Sequence, residues 1–448
     1  MIIRNLYSIF WTAGLCLSLF ACSEDEASVF PEEPDTPAGL SFHLSVKGTE
    51  EAETVLDGEV HWLVFNEDDR LTEYLHSSSI DELNDSYRPA MPGRYLYILV
   101  ASMDKDLLPS HLPMGMPVAD AFRMLESVQA ADSDMLTGWR RVVVEEESLN
   151  ICTIRVGQEP ITPSLVRLYL RLPEALAVQT RNTGNRLRCV AEVYDPESGQ
   201  CVVHRAFFPT VGADAKTFEV TLDNLEQLDY DLLYWTDYVP GSEPDEDHCY
   251  LTSSLKAVVL SSDVPYVAGD VGRRAYYLHA QADLSQQGSV QQAVTMNSPF
   301  ASYTVIGADQ QKYEGMQGVN DLPGWEDIKV QGTYNGYFPC TFNVWDGVPV
   351  DARAGQTFTA QARQTPEGEI ILFSDYIFAS RDQVSFTSVS FALVDKRTGE
   401  PFSQVDDVIV DYMLGEETTV SGDYLTAGAF SGDMNVDDRW EGELDVEF

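Results

Sequence analysis

The sequence predicts an all-β chain of tandem antiparallel β-sandwich domains, with one short helix in the first. Three observations carry this expectation. Most of the chain alternates apolar and polar residues over short runs, the pattern of half-buried strands. In LVRLYLRL, for example, Val166, Leu168, Leu170 and Leu172 share one face, while Arg167, Tyr169 and Arg171 share the other. Turn-forming clusters break the runs, as in Asp195-Pro196-Glu197-Ser198-Gly199 and Asp395-Lys396-Arg397-Thr398-Gly399. A strand motif also recurs at long spacing: GRYLYILVASMD from Gly93, YDLLYWTDY from Tyr230 and EIILFSDY from Glu369. A period that long indicates serial domains rather than a solenoid.

Taken from the front, Arg4 precedes an apolar run from Leu6 to Phe20, diluted by Thr12, Gly14, Cys16 and Ser18. That is too short for a bilayer-spanning helix, which needs about 20 residues, and it matches the hydrophobic region of a secretory signal. Leu19-Phe20-Ala21-Cys22 resembles a bacterial lipobox. Residues 1–21 are therefore expected to be a lipoprotein signal peptide, and Cys22 the acylated N-terminus of the mature chain. At about 0.8 kcal/mol per buried methylene, a multiply acylated chain needs no transmembrane helix to stay at a membrane. The alternative, an ordinary secretory signal that happens to contain a cysteine, leaves the abrupt charge change after Cys22 unexplained. Ser23-Glu24-Asp25-Glu26 resembles the acidic export tag of Bacteroidota lipoproteins sent to the outer face of the outer membrane. Residues 22–39 are Pro- and acid-rich, the composition of a solvated tether. Fully extended at roughly 3.3 Å per residue, the tether could lift the first domain ~50 Å.

Three β-domains are expected, over 40–160, 161–297 and 298–448. The joins are marked by strands that follow a proline, ITPSLVRLYL from Ile161 and MNSPFASYTVI from Met296. The helix is expected in the first domain over Pro117 to Ala131, with Val118, Phe122, Leu125 and Val128 on one stripe behind an initiating proline. Five cysteines follow Cys22: Cys152, Cys189, Cys201, Cys249 and Cys340, with no CxxC spacing to suggest zinc. A turn centred on Glu197 sets Cys201 opposite Val193 and Cys189 opposite Arg205, so they are no evident disulfide pair, and small buried thiols are the expectation. Leu444 to Phe448, LDVEF, alternates like a last strand, completing its own sheet or donated to a partner.

Lys plus Arg number 28 against 72 acids, for a net charge of −44. Such a charge repels nucleic acid and anionic head groups and suits a solvated surface protein. With so many carboxylates, pairs spaced for glycoside hydrolysis arise by chance and identify nothing. No GxSxG, HExxH, P-loop or strand-to-helix GxGxxG motif occurs. No catalytic residue and no cofactor is expected. The seven histidines are scattered, and His61, beside Trp62 in an apolar strand, reads as a hydrogen-bonded core or edge residue. Two acidic loops are weak calcium candidates: Gly241 to Asp247, and Asp433, Asn435 and Asp437, where Asp438 stands in place of the needed glycine. Solvated loops explain both. Trp62 and Trp235 fall in strand patterns and are expected in cores, against the alternative of a sugar-stacking row of tryptophans.

Certain segments carry a family resemblance. PFASYTVIGAD at Pro299, GYFPCTFNVWDGVPVD at Gly336, ILFSDYIFAS at Ile371 and TVSGDYLT at Thr419 resemble the serial landmarks of Bacteroidales fimbrillin-type surface lipoproteins. YDLLYWTDYV at Tyr230 and DVGRRAYYLHA at Asp270 are similar to the same group. VHWLVFNEDDRLT at Val60 and PGRYLYILVASMD at Pro92 resemble, more loosely, the N-terminal domain of fimbrial anchor proteins. The resemblance implies transthyretin-like or Ig-like sandwiches, export as a lipoprotein, and assembly into pili or association with them. In polymerising members an arginine-specific protease removes the first strand, and the groove accepts a strand from the next subunit. This chain departs from that pattern. Between Cys22 and Arg70 it has no arginine and one lysine, Lys47, and Arg70 falls in the turn Asn66 to Arg70. The lipid is therefore expected to stay attached. The resulting expectation is a non-enzymatic, surface-exposed lipoprotein of the outer membrane. It would be an anchor, tip or accessory component of pili, bound to lipid through Cys22 and to pilin subunits by strand addition. The alternative is a surface glycan-binding lipoprotein of a nutrient-uptake system.

Overall fold

The computed structural model describes residues 39–46, 57–79, 87–89, 91–102, 107–131, 134–145, 149–158, 163–173, 184–285, 288–381 and 383–428. The chain is all-β, with two α-helices among these residues.

The first seven strands are β1 (Gly39–Val46), β2 (Asp57–Phe65), β3 (Leu71–Ser79), β4 (Tyr87–Pro89), β5 (Gly93–Ser102), β6 (Leu136–Val144) and β7 (Leu149–Val156). They form two sheets, ordered β4-β1-β7 and β3-β2-β5-β6. Val60, Trp62, Leu99 and Ile154 fill the space between them. The opposite face of the larger sheet, with Leu63, Phe65, Leu96 and Ile98, is covered by Val118, Ala121, Phe122 and Leu125 of helix α1 (Val118–Gln129). Covered on both sides, β5 has seven consecutive buried residues where a sheet with one wet face would alternate. Pro117 stands immediately before the helix, where its missing N–H costs nothing.

The next group comprises β8 (Ser164–Arg171), β9 (Arg186–Tyr194), β10 (Cys201–Phe207), β11 (Thr217–Leu225) and β12 (Asp229–Val239). Two short strands follow, β13 (Tyr250–Leu251) and β14 (Val258–Leu260), then β15 (Tyr276–Asp283) and β16 (Ser289–Thr295). Sheets β11-β8-β16 and β10-β9-β12-β15 face each other across Val166, Leu168 and Leu170, the stripe read from LVRLYLRL. The β9–β10 hairpin closes on Asp195 to Gly199, with Gly199 at φ 68, a left-handed conformation that glycine adopts without a steric penalty. The register differs from the expected one in two steps: the turn sets Cys201 opposite Tyr194, and a bulge between Cys201 and Val203 adds one more residue, leaving Cys189 opposite Phe207. Cys189, Cys201, Cys249 and Cys340 are free thiols.

The remaining strands are β17 (Phe300–Gly307), β18 (Ile328–Tyr334), β19 (Phe338–Asn343), β20 (Val348–Arg353), β21 (Gln356–Gln361), β22 (Arg363–Gln364), β23 (Ile370–Phe378), β24 (Ser385–Asp395), β25 (Pro401–Tyr412) and β26 (Glu417–Gly422). Sheets β22-β23-β17-β26 and β21-β18-β24-β25 make a third sandwich. A further sheet, β13-β14-β19-β20, takes two strands from the excursion between β12 and β15 and two from the C-terminal region. A single core consequently joins Val190, Leu233, Trp235 and Tyr277 of the middle sandwich to Tyr303, Phe342, Phe378 and Phe391 beyond it.

A second helix, α2 (Gln310–Asn320), was not anticipated. Its sequence, QQKYEGMQGVN, carries two glycines and no apolar stripe. Tyr313 anchors it, buried against Trp325 and Phe402 and donating to the Pro323 carbonyl at 2.9 Å, and Gln317 Nε2 donates to the same carbonyl at 2.8 Å. Asp309, just ahead of α2, caps the neighbouring chain instead. Its carboxylate accepts from the Leu425 and Thr426 amides at 3.0 and 2.8 Å.

Candidate functional site

The most distinctive chemistry among the described residues is a set of buried arginine–carboxylate joints. The repeated strand motif places two of them. In β12, Asp237 is 1 % exposed and takes a two-pronged contact from Arg188 of β9, Nε to Oδ1 at 2.9 Å and Nη2 to Oδ2 at 2.7 Å. The third nitrogen, Nη1, donates to Asp247 Oδ1 at 2.9 Å and to the Pro244 and Glu246 carbonyls at 3.3 Å each. Burial alone would lower the Arg188 pKa, but the hydrogen bonds and charge of Asp237 outweigh it and raise it, so the guanidinium stays charged. The planar fork of arginine is what lets one side chain satisfy several buried acceptors. Asp247 belongs to the loop weighed as a calcium site. Its carboxylate is turned inward, accepting from Thr252 Oγ1 at 2.9 Å as well as from Arg188.

In β23 the equivalent acid, Asp375, is also 1 % exposed. Its Oδ2 accepts from the hydroxyls of Tyr266 at 2.9 Å and Tyr334 at 2.5 Å. Its Oδ1 accepts from the Gly269 and Tyr376 amides at 3.1 and 2.8 Å and from Arg273 Nη1 at 3.3 Å. The Arg273 guanidinium lies 3.5 Å over the Tyr266 ring. Burial pushes the Tyr266, Tyr303 and Tyr334 phenols well above their ordinary value. With five protein donors, the Asp375 carboxylate is engaged within the fold. It fastens the excursion, which supplies Tyr266, Gly269 and Arg273, to the third sandwich.

A third joint links the first sandwich to the middle one. Arg140 of β6 contacts Asp195 at 2.9 Å, Glu197 at 3.0 Å and Glu226 at 3.9 Å. Its neighbour Arg141 holds Asp69 at 2.8 Å and the Asn224 carbonyl at 3.1 Å. The hairpin acid Asp195 thus serves two tasks, since its Oδ1 also accepts from the Glu197 and Ser198 amides. The matching turn acid, Asp395, takes its guanidinium from Arg397 within the turn. Burial drives Glu226 up to about 8, against the pull of Arg140 and with the repulsion of Asp195 added.

His61 is 3 % exposed, bonds the Tyr74 hydroxyl at 2.9 Å and has its pKa lowered by burial, a core residue as expected. Trp62 and Trp235 are buried, Trp139 packs on Phe122, Trp325 on Tyr313 and Trp345 on Tyr194, so these five form no exposed row. On the outer face of β18, β21, β24 and β25 a cleft of about 620 Å³ is lined by Gln331, Thr333, Thr357, Thr359, Ser390 and Asp406, among others. Leu19, Phe20, Ala21, Cys22, Ser23, Glu24, Asp25 and Glu26 lie outside the described residues, as do Asp433, Asn435, Asp437 and the segment Leu444 to Phe448. The joints themselves were missed from sequence. Their signal was an arginine inside an apolar strand of a chain poor in basic residues, as in LRCVAEV and WRRVVV.

Solved structures similar to this chain include the fimbrial anchor protein Mfa2 from Porphyromonas gingivalis. That match is 12% identical, covers 54% of this chain and 82% of that one, and has a TM-score of 0.29. They also include a fimbrial assembly protein from Parabacteroides distasonis at 11% identity, 58% and 90% coverage, and a TM-score of 0.30. No curated protein matches. Residues 159–448 match the family of unknown function DUF6562. Since that match takes in the middle sandwich, the excursion and everything after them, the chain belongs to this family.

Proposed function

We propose that this is a lipid-anchored, surface-exposed protein of the outer membrane, of fimbrillin type. It would act as an anchor, tip or accessory component of pili rather than as an enzyme. The landmark segments and the lipobox-like start at Cys22 support the reading. The observation that carries it is the setting of Arg70, the first arginine after Cys22. Arg70 lies in the β2–β3 turn, where its amide donates to Asn66 Oδ1 at 3.0 Å and Asn66 N to the Arg70 carbonyl at 3.0 Å. Cleavage there would sever β1 and β2, each an inner strand of its sheet, from the rest of the first sandwich. The chain is therefore kept whole and its tether kept attached. The domain limits of 40–160, 161–297 and 298–448 belong to this proposal, with the excursion lent by the second domain to the third.

Mass spectrometry of the mature N-terminus from the native cell tests it, together with recovery of bound proteins from the outer membrane. Acylated Cys22 on an intact chain, with pilin subunits bound, is expected. A start beyond Leu40, or a protein freely soluble outside the cell, refutes it.

The alternative, glycan binding in a nutrient-uptake system, is favoured by the cleft of hydroxyl and amide side chains on the third sandwich. Affinity electrophoresis against polysaccharides separates the two readings. Retardation abolished by Thr333→Val with Thr357→Val supports glycan binding.

A further inference from the structure

Among the described residues, the first strand and the last of each sandwich lie side by side and run parallel. β1 pairs with β7 from Gly39↔Leu149 to Val46↔Val156. β8 pairs with β16 from Leu165↔Ser289 to Arg171↔Thr295. β17 pairs with β26 from Ser302↔Glu417 to Gly307↔Gly422. The other strand pairs named above are antiparallel, as is usual when neighbours in a sheet are joined by short connections.

A parallel pair sets the beginning of the first strand and the end of the last at opposite ends of their ladder. Tension applied through the two ends of a sandwich then slides these strands past each other, and every cross-strand hydrogen bond strains at once. In an antiparallel pair both ends would leave from the same side, and the bonds would break in succession. The difference is large because a single backbone bond contributes only about 0.5–1.5 kcal/mol net. Parallel bonds are also evenly spaced, so none takes the load first.

Neither β16 nor β26 has a fully buried side chain; beyond their ladders they contribute the partly buried Val290, Val294 and Val420. The connection from the second sandwich to the third is pinned as well: Met296 N donates to the Arg171 carbonyl at 2.9 Å, and Tyr277 and Asn297 exchange two backbone bonds of 2.8 Å. We propose that the chain is a tension-bearing element, with each sandwich closed by a shear clamp of its own first and last strands and the three clamps in series. This deepens the surface reading by naming force as what the protein resists, but its test needs neither lipid nor pilus.

Single-molecule force spectroscopy decides the matter. The mature chain is held by its two ends, and then by its N-terminus and a point in the loop after Arg381. In the second geometry load enters the third sandwich at Phe300 and leaves at Phe378, which are partners in the antiparallel β17–β23 pair, so that sandwich is peeled. Its rupture force is expected to fall severalfold while that of the first sandwich stays unchanged. Equal forces in the two geometries overturn the proposal. Thr419→Pro and Val420→Pro give an independent check under end-to-end load. Adjacent amides of edge strand β26 point to opposite sides, so only one of the two changes reaches the clamp. One variant is expected to rupture at markedly lower force, and indistinguishable forces refute the clamp.

Discussion

Replacing Asp237 by asparagine keeps the shape of the side chain and removes the negative charge opposite Arg188. Both partners are 1 % exposed, so the guanidinium cannot turn to water for compensation. Breaking a buried pair from one side costs about 3–5 kcal/mol. Arg188 retains Asp247, whose side chain is 29 % exposed, and two carbonyls, which places the cost near the low end, about 3 kcal/mol. For a cooperative unit of this size each kcal/mol lowers Tm by about 2–4 °C, giving a fall of about 6–12 °C. Thermal and urea unfolding of the mature chain, followed by near-ultraviolet circular dichroism, measures it. The companion variant Arg188→Met with Asp237→Leu fills the same space without charge and should recover most of the loss. A loss below about 1 kcal/mol for Asp237→Asn, or a double variant worse than the single one, would show that Arg188 is not held by this carboxylate.

The joint between the first two sandwiches should respond to pH. Glu226 sits at about 8 when folded against 4.5 ordinarily, so its contribution is fully present below the lower value and is lost as pH rises through the upper one. Solvent screens part of the effect at a side chain 14 % exposed; between pH 6 and 8.5 the first transition should fall by an amount worth about 1–2 kcal/mol. Glu226→Gln should flatten that slope, and a wild-type profile already flat would contradict the assignment. Gly332 pairs across the ladder with Phe358, and a Cβ there would stand 2.1 Å from its ring. Gly332→Ala should therefore cost about 1–3 kcal/mol in urea titrations, with an unchanged midpoint counting against the packing argument. Burial lifts the Cys201 thiol to about 12 and that of Cys249 to about 11. Alkylation at pH 8 should be slow until denaturant is added, whereas fast labelling of either in the folded chain would refute that burial.

What could be read from sequence was whatever depends on local period. The stripe of β8, the turns at Asp195 and Asp395, and helix α1 behind Pro117 each declare themselves within a dozen residues. Helix α2 does not, because Tyr313 and Gln317 hold it to the Pro323 carbonyl and its sequence carries no periodic apolar stripe. The register of the β9–β10 hairpin differs because the turn sets Cys201 opposite Tyr194 and one bulged residue after it adds a further shift, and neither leaves a mark in an alternating pattern. The recurrence of Asp237 and Asp375 was visible as a repeat, but their roles were not. The guanidiniums that neutralise them come from 49 and 102 residues away. The shared sheet β13-β14-β19-β20 was hidden for the same reason, since its halves are separated by most of a sandwich.

That shared sheet also limits how such chains can be rearranged over generations. A crossover at the proline-marked join near Met296 would separate β14 from β19 and strip the excursion's Tyr266 and Arg273 from Asp375, leaving an orphaned charge in each descendant. The last two sandwiches are thus inherited as a pair; the first, which among the described residues shares no sheet with them, could be exchanged only for one that again supplies guanidiniums to Asp195 and Glu226.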